Sequence, residues 1–93
     1  MPKFLIERRI PNVGQMGPDD LKGISQKSNG VLTDMRQNDH NVQWQHSYVT
    51  DDTIHCVYVA DGPDEVLEHA RCGGFPADSI MQVRTIIDPT TAE

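Results

Sequence analysis

The chain of 93 residues sets fourteen acidic side chains against eight lysines and arginines, a formal charge of −6 at neutral pH. That balance gives no footprint for a phosphate backbone, so no nucleic-acid partner is expected. No stretch approaches the roughly 18 consecutive apolar residues of a membrane span, and "MPKFLIERRIP" is broken by charge too early for a secretory core, so a cytoplasmic protein without membrane association is expected.

A chain this short makes one domain, residues 1–93, and buries only about 60% of its unfolded surface. Cys56 and Cys72, in no CxxC pair and with no export signal, read as free thiols. In chain order, "KFLIERRI" has the β-branched and aromatic content of a strand over 3–10, and Pro11 stops it because proline cannot donate to a ladder. After the loop "PNVGQMG", Leu21, Ile24, Ser28, Val31, Leu32 and Met35 recur at three- and four-residue steps, one face of a helix that opens at Pro18. Asp20, Lys22, Lys27 and Asp34 form its polar side, and Asp19 and Asp20 sit in the first turn, where the helix dipole favours negative charge. "VQWQHSYVTD" closes this half of the chain as a second strand.

The second half repeats the plan. "TIHCVYVAD" is a strand, "GPDEV" answers the earlier "GPDDL" as a helix start, and Leu67 and Ala70 are expected on its buried face, with Gly73 and Gly74 at its end. "IMQVRTIID", 80–88, supplies the last strand. The order βαββαβ is the ferredoxin-like arrangement: an α+β fold with a four-stranded antiparallel sheet and two helices on one face.

With Asp51 and Asp52 as a two-residue turn, Thr50 pairs with Thr53, Tyr48 with His55 and His46 with Val57. Regular alternation then groups Trp44, His46, Tyr48, His55, Val57 and Val59 on one face of the hairpin. Ser47, Val49, Ile54, Cys56, Tyr58 and Ala60 take the other. In the first strand Phe4 and Ile6 suit the helices, against Leu5, Glu7 and Arg9; in the last, Met81, Val83, Thr85 and Ile87 suit them, against Gln82, Arg84, Ile86 and Asp88. Large apolar groups on both sides of the sheet imply an interface, and a homodimer packed sheet against sheet is the expected cover.

"QWQHSYVTDD", "CVYVA", "EHARCGGFPAD" and "VRTIIDPTTAE" together resemble a family of small bacterial ferredoxin-like proteins of unassigned function, some members of which are described as nickel-binding or nickel-responsive. The resemblance spans nearly the whole chain and implies the ferredoxin-like fold in a dimeric α/β barrel. Members tend to carry an aromatic where His55 stands and a basic residue where Cys72 stands, so the pattern itself assigns neither a role.

The metal expectation therefore rests on side-chain chemistry. His46 and His55 are diagonal neighbours across the hairpin, and with Glu7 they form a candidate site for Ni2+ or another divalent transition metal. His40 is read as a loop histidine, and His69 as lying on the polar side of the second helix beside Glu65 and Glu68; neither receives a role. No nucleophile elbow or phosphate-cradling glycine loop occurs. The alternative to a metal protein is a cofactor-independent enzyme or small-molecule-binding module that uses the cavity between dimer sheets. Glu7, His46 and Tyr48 would then serve as acid–base groups, with Arg84 or Arg9 holding an anion.

Overall fold

The computed structural model describes all of residues 1–93. Its elements run β1 (Lys3–Arg9), α1 (Pro18–Gln37), β2 (Val42–Val49), β3 (Thr53–Ala60), α2 (Pro63–Gly73) and β4 (Ser79–Val83). Short 3-10 turns, Val13–Gln15 and Pro89–Ala92, follow β1 and close the chain. The sheet order is β2-β3-β1-β4 with every pair antiparallel, the ferredoxin-like topology expected from the chain order. No helix is long and apolar enough to cross a membrane.

Both helices start as the repeated "GPD" predicts, with Gly17 and Gly62 as N-caps, proline in the first turn and acidic residues beside it. On α1 the buried stripe is Ser28, Leu32 and Met35, with Leu21, Ile24 and Val31 half-buried around it. On α2 it is Val66, His69, Ala70 and Gly73. Leu67, expected on that face, is half exposed, because the i, i+3, i+7 stripe through Val66 leaves it on the solvent side. His69, expected among the polar residues, is completely buried.

The β2–β3 hairpin has the expected register: Tyr48 faces His55, His46 faces Val57 and Ser47 faces Cys56. Beyond His46 the register shifts, so that Trp44 pairs with Tyr58 and Gln45 is left over as a bulge. One extra residue reverses the alternation of everything before it. Trp44 therefore lies on the helix side with Tyr58, not beside His46 and Tyr48 as regular alternation predicts.

Strand β4 also departs from expectation. It ends at Val83, and Met81 pairs with Leu5 and Val83 with Lys3, on the face away from the helices. Ile80, opposite Ile6, is the residue that packs against the core. The parity comes from pairing with β1, whose buried residues are Phe4, Ile6 and Arg8. Residues 84–88 are unpaired, and Asp88, expected at the strand end, instead caps the final 3-10 turn by accepting from the Thr90 amide.

Helix α2 stops at Gly74, whose φ of 68° is the left-handed conformation that favours glycine. The Phe75 amide then turns back to the Ala70 carbonyl at 2.9 Å. Just before it, a Cβ at Gly73 would collide with the Phe75 ring. Phe75 itself packs against His69, so the ring has little room to retreat. Gly73→Ala should therefore destabilise the protein by about 1–3 kcal/mol, whereas Gly30→Ala, on an exposed turn of α1 with open space around it, should leave stability unchanged or raise it slightly. Urea denaturation of the two variants checks the contrast.

Candidate functional site

Two faces of the sheet hold chemistry of different kinds. The face away from the helices carries Glu7 on β1, His46 and Tyr48 on β2, and His55 on β3. Glu7 and His55 are direct cross-strand partners, with the His55 Nδ1 3.8 Å from a Glu7 carboxylate oxygen. His46 lies diagonally from His55, and its ring meets that of Tyr48 edge-on with centroids 5.1 Å apart. Both members of the Glu7–His55 pair keep about a third or more of their side-chain surface open, 44% and 32%. Antiparallel register thus brings Glu7, His46 and His55 to one patch as the sequence suggests.

Arg84 is not in that patch. Glu7 pairs with Ser79, and Arg84 stands beyond the end of β4, five residues further on or about 17 Å along a strand. Arg9 is exposed, its amide hydrogen-bonded to the Asp78 carboxylate at 2.6 Å.

The donor types in the patch suit nickel or another borderline divalent ion, imidazole nitrogens with a carboxylate oxygen. Their number does not suffice within one chain, since nowhere do three His, Cys, Asp or Glu side chains converge. At the far end of α1 a polar groove of about 290 Å³ includes Asp34, His40, Glu68 and Cys72. All of these but Asp34 are already engaged with one another or with their neighbours. His40 Nδ1 is 2.8 Å from Glu65, and Glu68 binds Arg71 and accepts from the Cys72 thiol at 3.3 Å. The Arg71 contact, then that of Cys72, holds the Glu68 pKa down at about 2, while the hydrogen bond to Glu68 pushes Cys72 up, so the thiol stays protonated.

The helix side of the sheet holds a charged group of its own, which two-residue alternation along β1 predicts. Arg8 follows Phe4 and Ile6 at two-residue spacing and, like them, is buried, at 3% exposure. Its Nη1 donates to the Pro76 carbonyl at 2.6 Å, and its guanidinium lies near the rings of Tyr58 and Phe75, 5.9 and 5.6 Å from their centroids. Its Nη2 is buried with no partner. His69 lies between the Tyr58 and Phe75 rings, with Nε2 3.2 Å from the Ser28 hydroxyl and Nδ1 unpartnered. Arg8, Ser28, Tyr58 and Phe75 line a cleft of about 160 Å³ between α1 and the sheet.

The architecture defines a small ferredoxin-like α+β protein with a histidine-bearing outer sheet face. Comparison with known proteins narrows this. A family model described as nickel responsive protein SCO4226-like matches residues 4–83, and the chain belongs to that family. A crystal structure of SCO4226 from Streptomyces coelicolor A3(2) superposes with a TM-score of 0.73 over 91% of this chain and 99% of that one, at 20% identity, a likeness of fold. Among curated proteins none matches.

Burial, then the nearby Arg8 charge, lowers the His69 pKa to about 4, while the Ser28 hydrogen bond opposes this. An unfolded imidazole takes up its proton near 6.5, so on acidification unfolded chains bind the proton first. Stability contributed by neutral His69 is complete above about pH 6.5 and is lost as pH falls towards about 4, by about 3 kcal/mol at the limit. Urea unfolding at about pH 7 and about pH 5 should show the loss, and His69→Phe should flatten it. An equal slope in that variant would assign the acid sensitivity to other groups.

Proposed function

We propose that the protein is a homodimeric, cytoplasmic binder of a divalent metal of the nickel type, with Glu7, His46 and His55 of each copy as donors. The observation that carries this reading is the Glu7–His55 pair with His46 diagonal to it, imidazole and carboxylate donors side by side and open to an incoming ion. Membership of a family described as nickel responsive supports the choice of metal. One copy is short of ligands, and a second copy set sheet against sheet would double the set.

The same face supports the dimer. Tyr48 and Met81 are exposed at 61% and 47%, and Leu5, Val57 and Val59 are only half-buried beside them. An apolar stripe across four strands is more than a monomer of this size ordinarily leaves open. Two free thiols accord with a reducing compartment. The enzyme alternative has less support, because Arg84 stands apart from Glu7, His46 and Tyr48 and leaves them without the anion-holding group.

Calorimetric titration of nickel into the untagged protein should give saturable binding that weakens as acid protonates the imidazoles. His46→Ala and His55→Ala should each lower affinity at least about tenfold. Binding by both variants equal to that of wild type would remove the site from this face. Sedimentation should give a dimer at micromolar concentration, and Tyr48→Lys with Met81→Lys should shift it to monomer; a monomeric wild-type protein would exclude a ligand set shared between copies.

A further inference from the structure

Arg8 is a buried cation without an anion. No carboxylate approaches it within salt-bridge distance, and no Asp or Glu lines the cleft beside it. The Pro76 carbonyl occupies Nη1 and the aromatic faces of Tyr58 and Phe75 offset part of the charge, but Nη2 has no acceptor. A buried donor on a full charge is a costly group to leave unpaired. The neighbours add no negative charge either. Burial raises the Tyr58 pKa despite the opposing influence of Arg8, so the phenol is neutral, as is His69.

Apart from Ser25, Ser28 and Ser47 the rest of the cleft is apolar, with Leu21 and Ile24 from α1 and Trp44 and Ile54 from the sheet among its walls. It runs across the sheet from the buried Arg8 and Tyr58 on β1 and β3 to the exposed Val49 on the edge strand β2, so it is closed on the β1 side and open at the sheet edge. Its volume of about 160 Å³ lies below the usual range for drug-sized ligands, and is close to the roughly 150 Å³ that accommodates benzene in an apolar protein cavity. A metal ion is excluded by the charge, and a phosphate by the single guanidinium and the apolar walls.

We propose that this cleft binds a small monocarboxylate with an apolar body, whose carboxylate is the counter-ion that Arg8 lacks. The body lies between α1 and the sheet, against Leu21, Ile24 and Trp44, and the anionic end meets the guanidinium at the floor, where a turn about its stem presents Nη2. The site is separate from Glu7, His46 and His55, which belong to the opposite face of the sheet. It is therefore independent of the metal reading.

The chain has one tryptophan, Trp44, and it lines the cleft, so indole emission reports occupancy. Benzoate titrated into the full chain should change that emission saturably, with calorimetry giving the same affinity. Benzamide, of the same shape without the charge, should bind at least about tenfold more weakly. Arg8→Met should bring the two ligands to equal, weak binding. Should that variant fail to fold, Ser25→Phe fills the cleft without touching the guanidinium and should abolish binding of both. No emission change with millimolar benzoate, equal affinity for benzamide in the wild type, or unaltered benzoate binding by Ser25→Phe would each overturn the proposal.

Discussion

The charge on Arg8 constrains more of the molecule than any other single group. A guanidinium cannot shed its proton, so a buried one must be surrounded by acceptors and π-faces, or met by an anion. The Pro76 carbonyl, which takes Nη1, belongs to the loop between α2 and β4. That loop must therefore leave α2 abruptly, and it does so through the left-handed Gly74 and the side-chain-free Gly73, which together lay Phe75 beside the guanidinium. His69 is driven neutral by the same surroundings. The end of one helix and the loop into the last strand answer to one residue on β1, which also adds to the effect of burial on a core histidine.

Much of the fold could be read from residue patterns, because the patterns were local. The helix starts depend on Gly-Pro-Asp runs, and the hairpin register depends on a two-residue turn, both settled within a few positions. The outer-face patch follows directly, since Glu7, His46 and His55 need only register to come together. What was not legible depends on partners far along the chain. The face that β4 presents is decided by pairing with β1 more than seventy residues away, and no local alternation in "IMQVRTIID" reveals it. Leu67 and His69 exchange expected places because an apolar residue was assumed inside and an imidazole outside, whereas a histidine with a serine partner and two aromatic neighbours fills a core position. Arg8 is legible in the sequence, since two-residue spacing places it on the face of Phe4 and Ile6.

The sheet separates two kinds of chemistry by its own thickness. On the outer side, two imidazoles and a carboxylate lie among half-covered apolar groups. On the inner side, a lone cation sits at the closed end of an apolar slot. Strands β1 and β3 contribute to both, since alternate residues point to opposite faces: Glu7 and His55 outward, Arg8, Ile54 and Cys56 inward. Whatever shifts these strands is felt on both sides.

The Gln45 bulge gives the chain an unusual kind of evolutionary hinge. A bulge separates the parity of the strand before it from that after it, so the length of β2 carries information independent of its composition. Losing Gln45 would leave Trp44 opposite Tyr58 and His46 opposite Val57, now in unbroken alternation, with the indole still on the slot side. A single-codon deletion at the bulge is thus absorbed without moving any side chain from one face to the other, whereas the same deletion in an unbulged strand reverses the parity of everything on one side of it. Relatives aligned across this strand should be compared by spacing as much as by identity.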